Sequence, residues 1–304
     1  MSGWVQTVLG LVPASDLGAT DSHDHLIGAP PSPYAEQDPD LVLRDEVAAL
    51  AELERFRAAG GGALVEFSTV DYGRDAAALR RLAEKSGVHI VAVAGFNKGK
   101  FCGRLLAGRS AANVAEEVLR DFGPGGIDGS GVHPGVVKAA TGLDGMSPEE
   151  EVALRAAALV HRRTGVPVMN HTEAGTFGHQ QLDRLEAGGV ALNRVTLCHM
   201  DRKLDFHYLL SLAKRGCFLS FDQIGKRKYA ADAERAAMLA RLAAAGHGHQ
   251  LLIGGDYARR SYWSQRLGPA YLLTAFVPLL QQAGLGPEPI RAILAENPAR
   301  ALAQ

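Results

Sequence analysis

Short apolar runs alternate with amphipathic helical patterns along the whole of this 304-residue chain, and that alternation limits its fold more than any other feature. The runs are a lead-in around Leu17 and Ala19, then Ala63–Phe67, Val88–Ala94, Gly135–Lys138, Pro167–Asn170, Arg194–Cys198, Cys217–Phe221 and Gln250–Ile253. Helical periodicity fills the gaps, near residues 44–59, 74–85, 111–121, 148–164, 180–188, 205–215 and 231–244, and again at 269–282 and 287–294. Strands separated by helices pair in parallel through right-handed crossovers. Eight such units predict a (β/α)8 TIM barrel, with residues 1–304 as one domain and the active site at the C-terminal strand ends. A doubly wound open sheet is the alternative, because periodicity alone does not show closure.

Gly60-Gly61-Gly62 precedes a strand instead of following one, so it reads as a helix C-cap and not as a phosphate loop. A net charge of -1 gives no pull toward nucleic acid or a membrane surface. The N-terminus lacks a basic, apolar leader, and no run approaches the ~18–20 apolar residues of a spanning helix. Cys102, Cys198 and Cys217 have the spacing of neither a disulfide framework nor a zinc knuckle. A reducing cytoplasm is the expected location.

Polar residues recur where the apolar runs end. His23 and His25 stand one residue apart after the first run, and alternation along a strand turns both to one side. Lys138, His171, His199 and Asp256 each close a later run. A barrel would bring all six to one mouth. Any one of them could be a cap or half of an ion pair, but six ionisable groups gathered there do not serve packing.

The set resembles the phosphotriesterase family of the amidohydrolase superfamily. The matching motifs are His23-x-His25, Lys138 in Val-Lys-Ala-Ala-Thr-Gly, His171 in Asn-His-Thr-Glu-Ala-Gly, His199 in Cys-His-Met-Asp-Arg, Asp256 in Gly-Gly-Asp, and the closing Glu-Asn-Pro-Ala-Arg-Ala. The resemblance implies a barrel with two divalent metal ions, zinc first, with manganese or cobalt also suited to such ligands. It places His23, His25 and Asp256 on one metal and His171 and His199 on the other. Lys138, carboxylated by carbon dioxide, would bridge both together with a hydroxide. That hydroxide would attack the substrate, and Asp256 would take the proton and pass it to the leaving group. A homodimer is the assembly the resemblance implies.

The substrate must be read from the loops. Asn97-Lys98-Gly99-Lys100 follows the third run, Asp222 to Tyr229 the seventh, and Tyr257 to Trp263 the eighth. Their basic residues predict a small anionic substrate. Lys228, Arg260 and Tyr262 are the first candidates to hold the anion, with Lys226, Arg259 and Asn97 next. Some of these could instead pair with Glu173, Asp201 or Asp222. The loops resemble the lactonase branch of the family, some members of which open phosphorylated sugar lactones. The short, charged loop after the eighth run departs from the pesticide-hydrolysing members. The expected activity is opening of a phosphorylated sugar lactone. A phosphotriester (organophosphate) hydrolase or N-acyl homoserine lactonase on the same metals is the alternative, and a catalytically inactive metal-binding protein is a reading of another class. His89, His133, His161, His179, His207, His247 and His249 read as surface or structural, with His179 close enough to the fifth run to be an alternative pocket residue, and Cys198 is expected to face away from the site.

Overall fold

The computed structural model describes residues 3–143 and 145–304. Strands β1 (Trp4–Thr7) and β2 (Gly10–Pro13) form an antiparallel hairpin that the sequence reading did not foresee. Eight parallel strands follow, namely β3 (Ala19–Asp24), β4 (Gly61–Glu66), β5 (His89–Gly95), β6 (Val136–Thr141), β7 (Val168–Thr172), β8 (Val195–Cys198), β9 (Phe218–Phe221) and β10 (Leu251–Ile253). Each hydrogen-bonds to its neighbour in chain order. The ring is drawn together where the backbone N–H groups of Gly255 and Asp256 donate to the His23 carbonyl at 3.2 and 2.7 Å. The fold is a single-domain (β/α)8 TIM barrel.

Two glycine clusters make the close approaches possible. Only Gly60 has the left-handed backbone of a cap (φ 97°). Gly61 and Gly62 instead lie inside β4, where a Cβ would come 2.4 Å from the Phe56 ring and 2.1 Å from the Leu17 carbonyl oxygen. At the seam, a Cβ on Gly254 would lie 2.9 Å from Asp21 Oδ1 and from the His23 nitrogen.

Inside the barrel, Ala63, Val65, Phe67, Val91, Val93, Val136, Met169 and Cys198 pack on one another. Val5 of the hairpin and Leu302 of the last helix join them and close the floor. A second apolar layer lies between the sheet and the helices, with Val137, Ala139, Val168, Leu197 and Leu219 facing outward onto it. Inner and outer positions therefore alternate along each strand, as parallel strands covered on both faces require. The helix Pro148–Thr164 begins with a Ser147/Glu150 capping box and ends at Gly165 (φ 76°), with the boundaries that its sequence predicts. The segment expected to be a loop after the third run instead enters a helix, Gly99–Leu106. Among the described residues, no helix is long and apolar enough to cross a membrane.

Candidate metal centre

The six residues singled out at strand ends converge on the mouth. Strand alternation sends His23, Lys138 and His171 inward, two residues beyond Asp21, Val136 and Met169. Asp256 and His199 follow their strands by local turns and hold left-handed backbones, φ 47° and 62°. Such conformations cost non-glycine residues about 1–3 kcal/mol and mark positions that the surroundings impose. The turn at His199 also explains a correction. Cys198 does not face away from the site but points into the barrel, its sulfur grouped with ligand atoms of His23 and Asp222.

One oxygen of Asp256 collects the first histidine pair. Its Oδ1 lies 3.6 Å from His23 Nε2 and 3.4 Å from His25 Nε2, and ligand atoms of all three residues lie within 4.8 Å of one another. The opposite ring nitrogens are already engaged. His23 Nδ1 is 3.0 Å from Asp222 Oδ2, and His25 Nδ1 is 2.9 Å from Ser68 Oγ, which itself donates to Glu66 at 2.7 Å. Holding Nδ1 in this way leaves both Nε2 lone pairs aimed at one point. The second pair is His171 and His199, whose Nδ1 and Nε2 face each other at 2.8 Å. Here too the far nitrogens are held, His171 Nε2 by Glu173 at 3.1 Å and His199 Nδ1 by Asp222 at 2.6 Å. Lys138 lines the same cavity as both pairs, fully buried, with its Nζ donating to the Phe67 carbonyl at 2.9 Å.

Asp222 is the residue the sequence reading undervalued. It ends β9 as the other polar residues end their strands, and that criterion, evenly applied, finds it. Burial alone would raise its pKa, but His199 and His23 on either side outweigh this and hold it well below the carboxylate range. Burial pushes the His23 pKa down to about 4 against the pull of Asp222. At His199 the same carboxylate overcomes burial and raises the pKa. Burial, then the neighbouring His199, lowers that of His171 well below the free value. Burial also lowers the Lys138 pKa, against the pull of Asp71.

Above the centre lies a cavity of about 230 Å³. Lys98, Arg202, Lys228, Arg259, Tyr229 and Tyr262 form much of its wall, and Asn97 lines it with a side-chain carbonyl that accepts the Lys98 backbone N–H at 2.9 Å. Lys98 and Arg202 both bind Glu173, and Arg259 pairs with Asp38 at 2.7 Å. Lys228 has no carboxylate partner among the described residues, and its ammonium lies 4.8 and 5.8 Å from the ring centres of Tyr229 and Tyr262. Two anion candidates are corrected. Arg260 is exposed and turned away, donating to the Pro39 carbonyl at 2.9 Å, and does not line the cavity. Lys226 is buried, and its ammonium is spent on Gln223 Oε1, Asp256 Oδ2 and the Asp256 carbonyl, which takes all three of its hydrogens. A larger cavity of about 880 Å³, between the loop 29–35 and the helix Gly99–Leu106, gathers no such ligand set.

Residues 3–302 match the phosphotriesterase family. The chain belongs to that family. Within it, the chain is 34% identical to the phosphotriesterase homology protein of Escherichia coli over 240 residues, covering 78% of this chain and 82% of that one. It is 30% identical to a phospho-furanose lactonase of Mycoplasmopsis agalactiae, covering 99% of this chain and 91% of that one. The crystal structure of a lactonase from Listeria monocytogenes superposes with a TM-score of 0.93 at 30% identity and 99% coverage of both chains. A structure of the Escherichia coli protein, described as complexed with phosphate in its active site, superposes with a TM-score of 0.90 at 31% identity, covering 94% of this chain and 99% of that one. Membership makes this chain a metal-dependent hydrolase with a family barrel, and the six converging residues are its candidate metal ligands.

Proposed function

We propose that the chain opens small anionic lactones, phosphorylated sugar lactones first, at a centre of two divalent metal ions. The observation that carries this reading is Lys228, a lysine without a carboxylate partner among the described residues, placed between two tyrosines on the wall of a small cavity whose floor is the histidine cluster. Similarity to a phospho-furanose lactonase, and to a structure described with phosphate in its active site, supports the same substrate class.

The donor set fits the metals. Two imidazole nitrogens and a carboxylate oxygen already converge, with the remote nitrogens held so that the near ones carry lone pairs. His23, His25 and Asp256 would hold one ion, and His171 and His199 the other. Such N/O ligands suit zinc and accept manganese or cobalt. Two divalent ions held there would supply Lewis acidity for a lactone carbonyl and make water nucleophilic near neutral pH. Lys138 contributes as a carbamate: its neutral amine adds to carbon dioxide and loses a proton, turning a poor ligand into two oxygen donors. The Asp256 carboxylate takes the proton released in the attack and returns it to the leaving ring oxygen. Gln223 and Lys226 orient that carboxylate, donating to Oδ2 at 2.7 and 2.8 Å. Lys228, Arg259 and Tyr262 take the substrate's anion, and Arg202 adds a guanidinium beside Tyr229.

The test is metal content per chain together with turnover of a lactone panel with and without phosphate. Two metals and a strong preference for the phosphorylated members are expected. Equal turnover of neutral lactones, or preference for phosphotriesters, would overturn the substrate; a metal-free, inactive chain would overturn the centre as well.

A further inference from the structure

Arg235 is a fully buried arginine at the start of the helix Asp232–Leu242, and none of its atoms reaches the cavity. A guanidinium removed from water needs partners for its donors, so the partners show what it is there to hold. Its Nε donates to Asp201 Oδ2 at 2.7 Å. Its Nη1 donates to Asp232 Oδ1 at 2.9 Å and to the Ala230 carbonyl at 2.7 Å, and its Nη2 to the Lys226 carbonyl at 3.3 Å. The last two acceptors flank the stretch that carries Lys228 and Tyr229. The carboxylates bound to Arg235 grip the rest of the same loop. Asp201 accepts the backbone N–H groups of Asp222 and Gln223, and Asp232 accepts that of Gly225 and the Tyr271 hydroxyl. The whole segment 222–231 is therefore fastened from behind by one buried cation.

We propose that Arg235 sets the anion preference of the site as a positioning residue, fixing the loop 222–231 so that Lys228 and Tyr229 meet the substrate's charged group. The inference rests on the proposed function. Within the loop the Lys226 carbonyl also accepts the Tyr229 backbone N–H at 3.1 Å, but among the described residues Arg235 alone ties it to the Ala230 carbonyl, and Lys228 is exposed with no ion-pair partner there. A rigid fork is what the geometry uses. A lysine keeps the charge beside Asp201 but cannot span three elements at once.

The experiment is Arg235→Lys, alone and combined with Lys228→Ala, assayed on the 5-phosphate of ribono-1,4-lactone and on the unphosphorylated lactone, with inorganic phosphate as competitive inhibitor. KM for the phosphorylated substrate and the phosphate inhibition constant should rise about tenfold, as for loss of one charge-assisted contact. Because a lysine at this position keeps the charge beside Asp201, which holds the Asp222 and Gln223 backbone, kcat, metal content and activity on the unphosphorylated lactone should change far less than KM for the phosphorylated one. Lys228→Ala should add little in the Arg235→Lys background, because both act through one contact. An unchanged KM, equal losses on both substrates, or fully additive effects would overturn the inference. If Arg235→Lys fails to fold, Asp232→Asn loosens the same clamp at Arg235 and Gly225, and it must show the same split between substrates. A wild-type enzyme without phosphate preference, or with a harmless Lys228→Ala, overturns the proposed function and this inference together. A phosphate preference that Lys228→Ala abolishes and Arg235→Lys leaves intact overturns the inference alone.

Discussion

His23 and Asp222 are separated by 199 positions in the chain and by 3.0 Å in the structure, Nδ1 to Oδ2. The other Asp222 oxygen accepts the His199 backbone N–H at 2.9 Å and lies 2.6 Å from His199 Nδ1. One carboxylate thus orients a ring from each of the two histidine pairs. Asp222→Asn keeps the shape but turns an NH2 group toward one of the two rings. That ring must then accept at Nδ1 and carry its proton on Nε2, where a ligand needs a lone pair. Metal affinity should fall about 10- to 100-fold, the usual cost of losing such a partner. Chelator competition on the purified variant measures it, and wild-type affinity would remove the orienting role.

Lys228 and Arg260 separate two readings of the basic loops. Lys228 lines the cavity without a counter-charge among the described residues, whereas Arg260 is tied to Pro39 outside it. Lys228→Ala should raise KM for a phosphorylated lactone by about 10- to 100-fold, the worth of a hydrogen bond to a charged group. Arg260→Ala should leave it within about twofold, as surface changes do. Steady-state kinetics on both variants decide it; the reverse ranking would restore Arg260 as the anion ligand.

Much of this site was legible because periodicity and strand-end position are local properties. The runs ending in Lys138, His171 and His199 could be placed from apolar patterning alone, and the barrel then gathers their ends. What was hidden depends on backbone turns. His199 follows Cys198 in the left-handed region, so alternation fails at that step and both residues reach the interior. Asp256 is left-handed as well, and Arg259 is extended just before the short helix Arg260–Ser264. Which of two adjacent arginines enters the cavity is set by those few dihedrals and not by residue type. The clamp around Arg235 was equally invisible, since a buried arginine and an exposed one look alike in a helical pattern.

Asp21 makes the stability of the metal-free protein depend on pH. It is fully buried, and burial raises its pKa from 3.8 to about 8 despite bonds from the His23 and Gly255 backbone N–H groups. Between these values the folded chain holds a proton that the unfolded chain releases, so this group destabilises the fold as pH rises across that window. The contribution is complete below pH 3.8 and lost as pH passes through about 8. Asp21→Asn should flatten the fall in Tm between about pH 5 and 8.5 in chelator-treated protein. A wild-type slope unaltered by the substitution would mean that another group carries it.

Lys138 should separate stability from function. Its side chain is buried, and among the described residues its one hydrogen bond, to the Phe67 carbonyl, leaves the remaining amine hydrogens without an acceptor. A polar group stranded in that way costs roughly 1–3 kcal/mol by comparison with mutational data. Lys138→Met fills a similar volume with apolar atoms, next to the ring of Phe67, whose centre lies 5.0 Å from Nζ. Metal-free Lys138→Met should therefore melt at or above the temperature of the metal-free wild type. On the proposed function, the same substitution removes the group that would bridge the two metals as a carbamate, so metal retention and turnover should collapse. Bicarbonate should speed reactivation of metal-stripped wild type by zinc, through carbamate formation, and have no effect on the variant. Calorimetry of the stripped proteins and reactivation kinetics provide the two readouts. A Lys138→Met protein that bound two metals and kept its turnover would show that the buried amine is a packing residue and that the centre is built without it.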